Sequence, residues 1–168
     1  SVAMSASVIR SQVCIVGDGA VGKAAALGLS QMGISVSLLA SAPPRPSSSM
    51  QEWDVRVFAL NHVAHQLLDG LKVWGALDAS RVAPVSAMRV FDAAEQASGD
   101  LNFDAYGAHT NELAWIVEDQ NLGNALDTAL RFATHITPVI GQATALKSDV
   151  EGAQIHLSDG RVLQAELV

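Results

Sequence analysis

Apolar and polar positions follow two rhythms along this chain, and those rhythms lay out its elements. The apolar run Val13-Cys14-Ile15-Val16 predicts a buried strand, Val13–Val16. A helical pattern runs from about Ala20 to Met32, with Gly33 as its stop, and a second apolar run predicts a strand over Ser35–Ala40. Ser41 to Ser49 holds Pro43, Pro44 and Pro46, which continue neither helix nor strand, so it reads as a loop. Asn61 is placed to cap a helix carrying Val63, Leu67 and Leu68 on its inner side. Gly70 interrupts that helix, and Leu71, Val73, Trp74 and Leu77 continue its apolar pattern. Ala87–Phe91, Leu101–Ala105 and Leu113–Val117 read as strands, with a polar turn from Asp92 to Asp100. A helix is predicted from about Asp119 to Phe132, turning Leu122, Ala125, Leu126 and Leu130 inward. The remainder reads as strands Ile136–Ile140, Ala143–Lys147, Ala153–Leu157 and Val162–Val168, with hairpin turns at Glu151-Gly152 and Asp159-Gly160.

The order is therefore βαβ, helix, antiparallel strands, helix, β-meander. That is an α/β chain in which a Rossmann-like βαβ unit is joined to an antiparallel β-meander. A plain NAD dehydrogenase would continue with alternating strands and helices instead. At 168 residues, 49% hydrophobic and 16% charged, the composition is that of a globular chain with a sizeable core. The net charge of −7 and the lack of a basic cluster argue against a nucleic-acid partner. A lone cysteine, Cys14, permits no disulfide framework within the chain. Together with the absence of a ~20-residue apolar run, this leads to the expectation of a cytoplasmic protein.

The chemistry concentrates at Gly17-Asp18-Gly19-Ala20-Val21-Gly22, between the first strand and the first helix. Gly17 permits the tight turn, Gly19 keeps side chains away from a pyrophosphate, and Gly22 lets the helix approach the strand. The N–H groups of Ala20, Val21 and Gly22 and the positive end of the helix dipole then face an anion. Lys23 is expected to be solvated, or to offset phosphate charge in part. His62 and His65 have a metal-pair spacing, but no third ligand accompanies them and no metal site is expected. Trp53, Trp74 and Trp115 read as packing anchors. Glu118 and Asp119 read as acids at a helix start, where they favour the dipole.

Four stretches carry a resemblance to a known family. They are Val13 to Gly22; Asp54-Val55-Arg56-Val57-Phe58-Ala59-Leu60-Asn61 running into Leu71-Lys72-Val73-Trp74-Gly75-Ala76-Leu77; Pro84 to Asp92; and Leu101 to Ala105 with Glu112 to Asp119. In this order and spacing the chain resembles the N-terminal part of the ubiquinone-biosynthesis hydroxylases, within the p-hydroxybenzoate-hydroxylase-like FAD monooxygenases. The resemblance implies an aromatic-ring hydroxylase that binds FAD, takes electrons from NAD(P)H and uses O2. It implies a phenol or prenylated benzoquinol substrate, and for the full-length protein an association with the inner-membrane periphery or a ubiquinone complex. It places Arg56 at the flavin or its phosphates and Gln120 near the flavin. It also implies that residues 84–117 contribute to a substrate-side β-layer.

Three departures qualify the match. The family ends its second strand with a ribose-binding acid; here that position is Ala40, so ribose contacts fall to Ser41, backbone or water. Gln120 stands where the family often has an arginine or a glutamine, so it can hydrogen-bond but brings no charge. The last strand reaches Val168 without the family's following Gly-Ala-Asp-Gly turn. These lead to the expectation of an incomplete domain, inactive alone and prone to self-association through uncovered apolar surface. Two competing readings remain at this level. One is an NADP-dependent, ketopantoate-reductase-like oxidoreductase, favoured by Ala40, Ser41 and Arg45. The other is a non-catalytic accessory protein that kept the fold.

Overall fold

A computed structural model describes residues 7–43, 56–91, 100–104 and 112–168. In chain order the elements are β1 (Val8–Val16), α1 (Ala20–Gln31), β2 (Val36–Ala40), β3 (Val57–Leu60), α2 (His62–Gly70), β4 (Val82–Val85), β5 (Ala87–Phe91), β6 (Asp100–Asp104), β7 (Ala114–Glu118), α3 (Asp119–Phe132), β8 (Ile136–Ile140), β9 (Ala143–Asp149), β10 (Gly152–Leu157) and β11 (Val162–Leu167). Short 3-10 turns at Trp74–Ala76 and Ala79–Arg81 link α2 to β4. The residues form two compact units, Ser1–Ser48 with Leu126–Val168, and Ser49–Ala125.

The first unit is built on a six-stranded sheet in the order β8-β2-β1-β11-β10-β9. β1 pairs in parallel with β2 from Val13 to Val16 and with β11 from Val8 to Val13, so it serves two neighbours with its two halves. β2 pairs in parallel with β8, Val36 to Ala40 against Ile136 to Ile140. The meander strands β9, β10 and β11 are antiparallel. Helix α1 ends in a glycine cap: Gly33 at φ +78 donates to the Ser30 carbonyl, and Ile34 donates back to Leu29. One face of the sheet buries Val36 and Leu38 under Ala26 of α1, with Ile15, Leu29, Ile34, Leu130 and Ile136 at the margin. The other face buries Cys14, Leu39 and Val139 with Ile155, Leu157, Leu163 and Ala165.

The sheet is not flat. β8 and β11 stand three strand steps apart, about 14 Å if planar. Yet Arg161, one residue before β11, donates from Nη2 to the Ile140 carbonyl at 2.5 Å, and only Gly141 and Gln142 join β8 to β9 at the opposite edge of the sheet. The meander therefore curls back over the parallel strands, which is how its apolar side chains reach Leu39 and Val139.

The second unit holds a three-stranded antiparallel sheet, β3-β7-β4, and the antiparallel pair β5-β6. Asn61 caps α2 as predicted, its side chain accepting from Ala64 N at 2.9 Å.

The βαβ unit, the Asp119–Phe132 helix and the meander agree with the sequence expectation, and four details differ. β1 begins at Val8 rather than Val13, because Ile9, Ser11 and Val13 turn inward while Val8, Arg10 and Gln12 face out. Val57–Leu60 and Val82–Val85 are strands that the periodicity did not announce. On α2, Leu68 is buried but Val63 and Leu67 are 72% and 55% exposed. His62, His65 and Leu68 occupy the inward stripe instead, at helical spacing. Trp53, most of the Pro/Ser loop and most of the Asp92–Asp100 turn lie outside the described residues.

Candidate functional site

The glycine turn sits between β1 and α1 of the first unit. Gly17 has φ +135, a conformation favouring glycine, and its N–H donates to the Leu39 carbonyl at 2.9 Å. Gly22 is a close-approach glycine: an added Cβ would lie 3.3 Å from both the Gly17 carbonyl oxygen and Ile15 Cγ2. Gly19 is the N-cap of α1, extended at φ −80 and ψ 172, and a Cβ there would meet nothing within 4 Å. No side chain caps α1 and no acid lies in its first turn. Its leading N–H groups, on Ala20, Val21 and Gly22, belong to the set that finds no acceptor within a helix. Val21 and Asp18 are exposed beside them. The arrangement is an open, uncapped, positive helix end served by a glycine turn, a geometry that binds phosphate.

Lys23 does not serve as a solvated or phosphate-facing charge. Its Nζ lies 2.8 Å from Asp127 Oδ1, with the two side chains only 16% and 17% exposed. The pair ties the first turns of α1 to α3, and its charge is neutralised inside the protein.

At the carboxyl end of β2, Ala40 pairs with Ile140 and its carbonyl accepts from Gly141 N at 2.9 Å. Ser41 follows, exposed. Arg161 lies at the same edge, a residue that sequence reasoning passed over because a hairpin arginine beside an Asp-Gly turn carries no signal of its own. Its Nε donates to Asp159 Oδ2 at 2.8 Å, and its backbone N donates to Asp159 Oδ1 at 3.0 Å. Those hydrogen bonds hold the Asp159 carboxyl below its ordinary pKa and the Arg161 guanidinium above its own.

The remaining predicted residues lie in the second unit. Arg56 stands immediately before β3, and its neighbours Asp54 and Glu52 fall outside the described residues. Its Nη2 lies 3.4 Å from Asp119 Oδ2, and its carbonyl accepts from Asp119 N at 3.0 Å. The guanidinium side chain is 70% exposed. Gln120, half-buried, opens α3 immediately after. Glu118 stands at the start of α3, as expected, and it also has a second role. It ends β7, buried, and takes a two-pronged bond from Arg81, Nε to Oε1 at 2.5 Å and Nη2 to Oε2 at 2.7 Å. That contact holds the Arg81 guanidinium more firmly protonated than usual. Next to it, buried Asn121 accepts from Asp78 N at 2.8 Å and donates to Asp78 O at 3.0 Å. The Arg81 and Asn121 contacts fasten the 3-10 segment to the start of α3.

His62 and His65 make aromatic contacts rather than a metal pair. His65 lies 4.1 Å from Trp74 and 4.4 Å from Trp115 between ring centroids, and His62 meets Trp115 edge-on at 5.1 Å. His62 Nε2 also sits 2.6 Å from the Glu112 carbonyl. Among the described residues no cluster of three or more His, Cys, Asp or Glu is placed to hold a metal. Trp74 and Trp115 line an open pocket of about 240 Å³ with Leu77, Val82 and Pro84. No helix among the described residues is long and apolar enough to cross a membrane.

Comparison with known proteins agrees with the family resemblance. No family model matches the chain. The 3-demethoxyubiquinol 3-hydroxylase of Escherichia coli (strain K12) is 34% identical over 159 residues, covering 94% of this chain and 40% of that protein. The ubiquinone hydroxylase UbiL of Rhodospirillum rubrum is 30% identical over 163 residues, covering 94% of this chain and 36% of its own length. The flavin-dependent monooxygenase PieE, solved with FAD and substrate, superposes with a TM-score of 0.62 at 18% identity, over 95% of this chain and 30% of that one. The chain thus has the fold of part of an FAD monooxygenase and spans well under half the length of the relatives it matches.

Proposed function

From this kinship with the ubiquinone hydroxylases we infer that the chain is the nucleotide-binding part of an FAD-dependent aromatic-ring hydroxylase. The observation that carries the reading is the uncapped amino end of α1 opening from the glycine turn, in a chain similar to those hydroxylases along 94% of its length. FAD fits the turn: Gly19 leaves open space where a side chain would stand, and no acid in the first turn of α1 opposes a pyrophosphate. When bound, FAD supplies the oxygen chemistry, with NAD(P)H as reductant and a phenol or prenylated benzoquinol as the ring hydroxylated.

The chain's own residues bind and orient. Gly17 shapes the turn, and Gly19 keeps the approach clear. The N–H groups of Ala20, Val21 and Gly22 hold phosphate oxygens, and Ser41 offers its hydroxyl to the ribose. Arg56 and Gln120 are proposed as contacts to the cofactor, on the family resemblance alone. Residues 84–117 are proposed as part of the layer facing the substrate.

An FAD titration, read by flavin fluorescence and calorimetry, tests the reading. Saturable binding by the parent chain, lost in Gly19→Glu, is the expected result. The glutamate adds bulk and negative charge at a position where the fold itself has room, so folding is preserved. Absence of FAD binding, or binding indifferent to Gly19→Glu, overturns the proposal.

A further inference from the structure

The carboxyl edge of β2 differs in charge from an acid-ended dinucleotide site. A strand-end carboxylate accepts hydrogen bonds from ribose hydroxyls and repels a phosphate on the 2′-oxygen. Ala40 does neither. One strand over, the Arg161 guanidinium is fixed on the carbonyl of Ile140, the register partner of Ala40. Asp159 engages the Nε/Nη2 side through one carboxylate oxygen, at 2.8 Å and 2.7 Å, while its other oxygen takes the Arg161 backbone N–H. The Nη1 donors make no hydrogen bond to any described residue, and about a third of the side chain is exposed (32%). The guanidinium is therefore held in one orientation with one nitrogen, Nη1, left to donate, and a fixed cationic N–H donor suits a phosphate oxygen.

We propose that Arg161 makes this corner a 2′-phosphate-accepting end of the nucleotide site. The chain then prefers adenine nucleotides phosphorylated on the ribose 2′-oxygen over the same nucleotides without that phosphate. This rests on the reading that the Gly17–Gly22 turn receives the 5′-phosphate side. One consequence is that a 2′-phosphorylated dinucleotide competes with FAD for this chain.

The test is calorimetric titration with adenosine 2′,5′-bisphosphate, adenosine 3′,5′-bisphosphate and 5′-AMP. The parent chain binds the 2′,5′-bisphosphate about tenfold more tightly than 5′-AMP, the scale of one charge-assisted contact, and more tightly than the equally charged 3′,5′ isomer. Arg161→Gln reduces the ratio to near unity. Ala40→Asp, which leaves Arg161 and its partners in place, abolishes or reverses the preference and serves as the independent reading if Arg161→Gln unfolds by circular dichroism. Equal affinities in the parent, or a preference that survives Arg161→Gln, overturns the proposal. FAD binding without any 2′ preference overturns it while leaving the proposed function standing; failure to bind any of these nucleotides overturns both.

Discussion

Replacing Lys23 by methionine separates an internal clamp from a phosphate ligand. At 2.8 Å, and at the effective dielectric of ~20 that suits proteins, the gross attraction between Lys23 and Asp127 is about 6 kcal/mol. Desolvation of two largely buried groups removes most of that, leaving a net coupling of about 1–3 kcal/mol. Lys23→Met keeps the apolar stem and removes the charge, so Asp127 is left in a mostly buried position without its cation. A loss of about 2–3 kcal/mol is expected, at the lower end for a broken buried pair because both groups keep some contact with water. With a urea slope of about 2 kcal/mol/M, the unfolding midpoint falls by about 1 M. The double variant Lys23→Met/Asp127→Leu recovers part of the loss, and a cycle of urea melts gives the coupling. FAD affinity of the folded Lys23→Met chain stays within about threefold of the parent, a shift under 1 kcal/mol. Unchanged stability together with a tenfold or greater loss of FAD affinity would refute this reasoning and return Lys23 to the phosphate.

Two glycines are expected to respond in opposite directions. Gly152→Ala places a Cβ 2.5 Å from the Ala165 carbonyl oxygen at φ +131 and destabilises by more than about 3 kcal/mol, whereas Gly123→Ala, with nothing within 4 Å of its Cβ inside α3, stabilises by about 0.5–1 kcal/mol. Thermal melts of both decide it, and a tolerated Gly152→Ala would contradict the β10–β11 packing. Burial pushes the Cys14 thiol up from 9.0 to about 11, so the folded state holds its proton more tightly than the unfolded chain does. Its contribution to stability is present below pH 9 and is lost as pH rises toward 11. A native chain whose Cys14 reacts with a thiol reagent at pH 8 as fast as the urea-unfolded chain would be inconsistent with that burial.

What the sequence revealed depended on the range of the interaction. The glycine turn, the Asn61 cap and the hairpin glycines are local devices, fixed by neighbours a few residues away, and they were legible. Helix α3 was legible because its buried positions Leu122, Ala125 and Leu126 recur at helical spacing. β4 was not: it is a short edge strand of its sheet containing Pro84, where a missing N–H costs no ladder bond and leaves no alternation to read. Glu118 was legible as a helix-start acid, but its pairing with Arg81 was not, because that partner lies 37 residues away in sequence. Lys23 was misread for the same reason, since Asp127 belongs to a different helix. Arg161 reaches β8 only because the sheet curls, and no pattern within the hairpin announces that curl.

The shared strand β1 also sets a clock. Its carboxyl half finds β2 within a few dozen residues, but its amino half pairs with β11, whose residues Val162–Leu167 are made almost at the end of this sequence. At a synthesis rate of about 5–20 residues per second, the growing chain spends roughly 7–30 s with that edge of Val8–Val13 unpaired. Pairing at such sequence separation is intrinsically slow as well. The glycine turn, at the end of this same strand, therefore acquires its full support late. Until then the bare strand edge is the place where a nascent chain is most open to capture by a chaperone or by another copy of itself.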